Sequence, residues 1–241
     1  MIPGAMRELV IASPAKNALS TSVLESLQRG LIDAGGEPVL LTGAGEVFSA
    51  GLDLKEVAAL DLERARRLVG ALEGMVEALF TYPAPTVALV NGHAIAGGCV
   101  LVMCCDLRVM TSDAGARIGL NEVALGLTFP PKTLAMLRSR LGASARERVL
   151  LGAQLYDPGG ALEVGLVDET APDARAMAVA RLEALSRHPP AGYARLKAEL
   201  RRGVLHQSAE DRRAFEEDLL PRWASAETRA IATRLLQRPA R

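Results

Sequence analysis

Glu122 closes the run Ile118-Gly119-Leu120-Asn121-Glu122. Upstream lies Asn91-Gly92-His93-Ala94-Ile95-Ala96-Gly97-Gly98-Cys99, a glycine-bearing turn that feeds an apolar run. Further upstream is a segment of small residues, Phe48-Ser49-Ala50-Gly51-Leu52-Asp53-Leu54-Lys55. These residue types suit one kind of chemistry, removal of a proton from carbon beside a carbonyl. A carboxylate held away from water rises from its ordinary pKa of about 4.3 and becomes a better base. Fixed N–H groups can hold the oxygen on which charge develops, and a helix N-terminus supplies them unpaired. Ala96-Gly97-Gly98 fits that use, because glycine lets a ligand approach the backbone. The same residues also fit a strand-to-helix turn that needs glycine for its geometry alone. Read from its neighbours only, Glu122 is a solvated charge.

Order and spacing carry more than any single segment. The three segments together resemble the crotonase (enoyl-CoA hydratase/isomerase) family, and the resemblance extends over nearly the whole chain, including the late element Gly165-Leu166-Val167-Asp168. It implies an α/β fold, a crotonase-type spiral of βαβ units with a helical C-terminal region. It implies Glu122 as the acid/base, and the backbone amides of Leu52 and Gly97 as an oxyanion hole for a thioester enolate. The stretch Ala50, Leu52, Asp53, Leu54 and Lys55 corresponds to the part that contacts the adenosine end of coenzyme A. Pro14-Ala15-Lys16-Asn17-Ala18-Leu19 is similar to the family's early motif, which makes Lys16 a candidate for the CoA phosphates; a solvated turn lysine is the other reading. In the family's hydratases a second glutamate follows the glycine turn, and here that position is Val100. Moving a double bond needs one carboxylate, whereas adding water ideally uses two. The resemblance therefore implies isomerisation of 3-enoyl-CoA to trans-2-enoyl-CoA, with hydration or another crotonase reaction as the alternative and a non-catalytic acyl-CoA binder as a second. Coenzyme A enters as part of the substrate, and no metal or redox cofactor is expected. The expected assembly is a homotrimer or a dimer of trimers. One departure from the family is the short stretch before Leu9, which leads us to expect an exposed edge or an altered rim there.

Other candidates are weaker. Asp106 reads as a structural cap or strand-start residue and Asp113 as part of a polar turn, so no second carboxylate has a good claim. His93 reads as a packing or hydrogen-bonding residue, and His188 and His206 as solvated. Ser49 has no His–Asp partners. Cys99, Cys104 and Cys105 lack zinc-ligand spacing and read as buried, reduced thiols.

The elements that must position these groups follow from periodicity. Leu9 to Ala12, Pro38 to Leu41, Thr86 to Val90, Leu107 to Met110 and Arg117 to Ile118 read as strands. Ser20 to Ala34, a long helix capped by Asp61 and stopped by Pro83 and Pro85, and Gly97 to Cys105 read as helices, with Thr42 to Gly51 as a loop. Strands alternating with helices argue for parallel crossovers. Beyond Pro130 the pattern is almost wholly helical, including Ala174 to Arg187, Ala191 to Arg202, Ser208 to Leu219 and Ser225 to Leu236. The division expected is a core over 1–186 and a helical region over 187–241. Tyr193, Leu196, Leu200, Phe215, Leu219, Leu220 and Trp223 in that region must either pack on their own core or meet another subunit.

The 241 residues suffice for one large domain or a domain with an appendage. With 28 basic and 28 acidic residues the net charge is zero, which leaves no electrostatic footprint for nucleic acid or an anionic membrane. The longest run without a polar side chain, Ala94 to Cys105, is shorter than the roughly 20 residues a membrane-spanning helix needs. No charged n-region precedes a long apolar stretch at the start. A cytoplasmic protein is expected.

Overall fold

The structure, a computed structural model, describes residues 6–237. Two parallel sheets organise the chain. The larger runs in the order β1 (Arg7–Ile11), β2 (Val39–Gly43), β4 (Thr86–Val90), β6 (Leu107–Thr111), β8 (Glu169–Ala171). The smaller runs β3 (Val47–Ser49), β5 (His93–Ile95), β7 (Ile118–Gly119). Every ladder is parallel, as strand–helix–strand alternation requires.

β2 and β4 are buried along their whole length, so they read as continuous apolar runs. Their side chains still alternate. Val39, Leu41, Ala88 and Val90 enter the main core, while Leu40, Val87 and Leu89 pack on the other face against Ala178 and Leu182 of the Ala174–Ser186 helix. Three strands of the large sheet are each followed by a short detour through the small one. β2 leads to β3, β4 to β5 and β6 to β7, which stacks the two sheets as successive turns of a spiral. Asn91 locks one such step: its Nδ2 donates to the carbonyls of Gly43 (3.0 Å) and Gly45 (2.7 Å). β1 is an edge strand, and Val10 on it is exposed.

The long helix Leu62–Phe80 begins at Asp61, whose side chain accepts from Arg64 N at 2.8 Å. It buries one face, from Ala65 through Leu72 and Val76 to Phe80. Three strands fall outside the sequence reading. β3 lies within the expected loop Thr42 to Gly51, β5 within the turn before the glycines, and β8 within the expected helical stretch. The expected helix over Ser208 to Leu219 divides into a helix, Ala209–Ala214, and a π turn, Phe215–Leu219.

Helices beyond 187 dock through Asp106, which precedes β6. Its Oδ2 accepts from Thr86 N (2.8 Å), Tyr193 Oη (2.8 Å) and Lys197 Nζ (2.7 Å), and its Oδ1 from Arg201 (2.6 Å). Arg201 also donates to the carbonyl of Phe80, and Lys197 to that of Ala84. Phe215, Leu220 and Trp223 are buried against the chain's own core, whereas Leu196 (62% exposed) and Leu200 (74%) face outward. No described helix is long and apolar enough to cross a membrane.

Candidate active site

The site is assembled from loops at the ends of short strands. Pro14–Asn17 forms one turn with Ala15, Lys16 and Asn17 all in the left-handed region, φ 59°, 60° and 58°. Side-chain bonds hold this costly conformation: Asn17 Nδ2 donates to the carbonyls of Ala44 (2.9 Å) and Val47 (2.6 Å). The turn in turn holds the loop after β3. Ala50 N donates to the Lys16 carbonyl (3.0 Å), and Ser49 Oγ donates to that of Asn17 (2.8 Å) while accepting from Gly51 N (3.1 Å). Leu19 N then donates to the Gly51 carbonyl and Asp53 N to the Leu19 carbonyl. Between those two bonds Leu52 N faces away from Leu19, and it makes no hydrogen bond to the described residues. Gly51 adopts φ 91°, and a Cβ there would lie 2.8 Å from the Ile95 carbonyl oxygen, so only glycine fits.

Gly97 opens the Gly97–Cys104 helix, whose residues are all buried. Ala96 precedes it at φ 51°, ψ −121°, a conformation unusual for a residue with a Cβ. Its N–H is held by the Gly119 carbonyl (2.8 Å) and its carbonyl by Val100 N (3.0 Å), which fixes the orientation of the peptide that carries Gly97 N. That amide has no partner among the described residues. A Cβ built on Gly97 would sit 3.6 Å from Leu52 N. The two free amides therefore border the same small space.

Glu122 starts a single 3-10 turn after β7, closed by Gly126 in the left-handed conformation. Its carbonyl accepts from Leu127 N at 3.0 Å. Its side chain is buried, and Oε2 has no partner among the described residues. Burial lifts the carboxyl from 4.5 to about 8, partly opposed by the residue's own backbone amide. Tertiary burial thus removes the solvated-charge reading.

A cavity of about 260 Å³ gathers these groups. Glu122, Gly97, Leu52, Ala50 and Leu54 all line it, and so does Val100. Lys16, Asp53 and Lys55 do not; Lys16 and Lys55 are exposed, and Asp53 caps the Leu54–Ala58 helix. Several lining residues escaped the sequence reading. Leu72 and Thr133 looked like ordinary helix positions, Val57 lay in no expected element and sits in the short Leu54–Ala58 helix, and Trp223 and Leu235 come from the C-terminal helices. The segment Leu127 to Pro130 forms one wall. Thr133 is held behind it by Glu73 Oε1, which accepts from Thr133 N (2.9 Å) and Oγ1 (3.3 Å) and stands in for the side-chain cap that Pro130 cannot supply.

The remaining reactive types have structural partners. His93 Nδ1 accepts from Arg117 N at 3.0 Å. His188 and His206 are exposed. All three cysteines are buried, and burial pushes their thiols up, Cys105 to about 12. Among the described residues no cluster of three His, Cys, Asp or Glu side chains is arranged to hold a metal ion.

Comparison with known proteins bears on this geometry. A family model described as Enoyl-CoA hydratase/isomerase matches residues 2–233. A putative enoyl-CoA hydratase of Thermus thermophilus is 36% identical over 193 residues, 78% of this chain and 75% of that protein. Mouse mitochondrial enoyl-CoA delta isomerase 1 is 33% identical over 184 residues, 74% of this chain and 64% of that protein. The crystal structure of human mitochondrial delta3-delta2-enoyl-CoA isomerase superposes with a TM-score of 0.88 at 26% identity, covering 96% of this chain and 93% of the other.

Proposed function

Because the chain belongs to the enoyl-CoA hydratase/isomerase family, we propose that it isomerises 3-enoyl-CoA to trans-2-enoyl-CoA through Glu122. The carboxylate takes a proton from C2, the electrons move onto the thioester oxygen, and the proton returns at C4. The amides of Leu52 and Gly97 hold that oxygen. Nothing is oxidised or reduced, and coenzyme A is carried in as part of the substrate. Lys16 and the Ala50–Lys55 loop, joined by the Ala50–Lys16 hydrogen bond, offer two exposed cations near the mouth for its phosphates. The exposed Leu196 and Leu200 support contact with another subunit, and the resemblance to the family implies a trimer or a dimer of trimers.

One observation carries the reading. Glu122 is the only carboxylate among the described residues on the cavity lining, and Val100 stands where a hydratase of the family carries its second acid. A raised carboxyl of this kind can hold a proton between removal and return. Hydration is the second reading, supported by the 36% identical Thermus relative, a putative enoyl-CoA hydratase. The test is a direct comparison of the purified protein on 3-enoyl-CoA and on 2-enoyl-CoA. Faster turnover of the former is expected, with Glu122→Gln lowering it by roughly 10²–10⁴-fold while acyl-CoA still binds. Faster hydration of 2-enoyl-CoA by the unmodified enzyme would overturn the argument from Val100.

A further inference from the structure

Five buried side-chain polar atoms lack a partner among the described residues, and three of them belong to residues on this one cavity: Asn121 Oδ1, Glu122 Oε2 and Trp223 Nε1. Proton transfer accounts for the glutamate. Asn121 stands beside it in sequence, at the reacting end. Trp223 has no part in that chemistry. It is 2% exposed, and its N–H is a donor only. Buried donors are almost always paired, because desolvating one without an acceptor is unfavourable.

The indole cannot readily swing to a partner elsewhere. Its backbone is pinned on both sides: Thr228 Oγ1 donates to the Arg222 carbonyl (2.7 Å), and Arg229 Nη1 donates to the carbonyls of Ala224 and, at 3.1 Å, Leu60. The π turn Phe215–Leu219 sets the register of the Leu220–Trp223 turn that follows it. Apart from Glu122 and Thr133, the buried part of the cavity lining beside the indole is apolar: Val57, Leu72, Val100, Leu127, Pro130 and the Gly97 backbone. The Thr133 hydroxyl is engaged with Glu73. A plain alkyl chain entering here would match the apolar walls and leave Nε1 unpaired. A chain bearing an oxygen acceptor would match both.

Resting on the acyl-CoA reading above, we infer that Trp223 selects acyl-CoA thioesters whose acyl chain carries a hydrogen-bond acceptor, a keto, hydroxyl or ether oxygen, away from the thioester. Trp223 is thereby a specificity-determining residue contributed by the C-terminal region.

The test uses saturated thioesters, which the enzyme does not turn over. Octanoyl-CoA is titrated against analogues of equal length in which one chain methylene, at successive positions beyond C4, is replaced by an ether oxygen or a ketone. One position is expected to bind about tenfold tighter than octanoyl-CoA, the order expected when a buried donor gains its acceptor. Trp223→Phe keeps an aromatic ring but removes the donor, and should level the series. Trp223 is also the only tryptophan of the chain, so its emission reports the same event without substitution. A shift to longer wavelength is expected with the preferred analogue and not with octanoyl-CoA. Octanoyl-CoA binding as tightly as every analogue overturns the inference, as does a preference that survives in Trp223→Phe or an emission spectrum indifferent to the oxygen. Failure of every thioester to bind would instead remove the acyl-CoA reading itself.

Discussion

Glu122 has two pH signatures of opposite use. In the proposed role of base it must be ionised, and burial raises its carboxyl to about 8. The kcat/KM of isomerisation is therefore expected to rise with pH through about 8, and a profile already flat at pH 6 would contradict this assignment. Stability runs the other way. The folded carboxyl lies above its unfolded value of 4.5, so the favourable contribution of the protonated form is complete below about 4.5 and is lost as pH rises through about 8. Glu122→Gln escapes that loss. Urea unfolding is expected to find the variant about as stable as wild type at pH 4 and more stable, by on the order of a few kcal/mol, at pH 9. The motif singled this residue out, and the structure puts it on the cavity lining. Its environment was not legible, because Gly119-Leu120-Asn121 gives no sign that the side chain turns inward and that Val57, Leu72 and Trp223 close around the same space.

At the scale of elements, the short, fully buried Gly97–Cys104 helix presents the free Gly97 amide to the cavity. Its entry through Ala96 stores backbone strain of order 1–3 kcal/mol that the surrounding bonds must outweigh. Gly97 itself is not at positive φ, so a side chain is sterically possible there. Its Cβ would approach Leu19 Cδ1 at 3.3 Å and Leu52 N at 3.6 Å. Gly97→Val is thus expected to fold, with its branches filling the space between the two amides. Turnover should fall by roughly 10²–10³-fold, the range seen when an oxyanion donor is lost, and acyl-CoA binding should weaken. Steady-state kinetics and circular dichroism together check this; unchanged kinetics would place the oxyanion site elsewhere. The long elements were legible, since β2, β4 and the Leu62–Phe80 helix have unbroken apolar periodicity. Of the small sheet only β7 was anticipated, as the strand read over Arg117 to Ile118. β3 and β5 were not: they are three residues long, too short to show a period of two, and exist only because each finds a partner distant in sequence.

Across the whole molecule, Asp106 is the joint between the core and the C-terminal helices. Lys197 and Arg201 are buried with it, and side-chain exposures of 7%, 10% and 10% leave little solvent to replace the carboxylate. Asp106→Ala would strand two buried cations, and unfolding experiments are expected to show a loss of about 3–5 kcal/mol. A loss below 1 kcal/mol would mean that the carbonyls of Ala84 and Phe80 suffice. Asp106 was legible as a structural residue because it starts a strand. The fate of the helices it anchors was left open by the pattern, and the structure divides them: Phe215, Leu220 and Trp223 turn to the core, Leu196 and Leu200 to the outside. Composition could not separate the two sets because both are apolar residues on mixed, weakly sided helices.

The cavity is closed by both parts of the chain, with Gly97 and Glu122 on one side and Trp223 and Leu235 from the C-terminal helices on the other. Any thioester that fills it must therefore be linked to the docking of those helices by mass action. At a hundredfold excess over its Kd such a ligand adds about 2.7 kcal/mol to the closed form. Trypsin has targets in this region at Arg222, Arg229 and Arg234. Acyl-CoA is expected to slow cleavage there in proportion to occupancy while leaving the exposed Arg187 as susceptible as before. The C-terminal segment is then expected to be most open to trypsin when the cavity is empty.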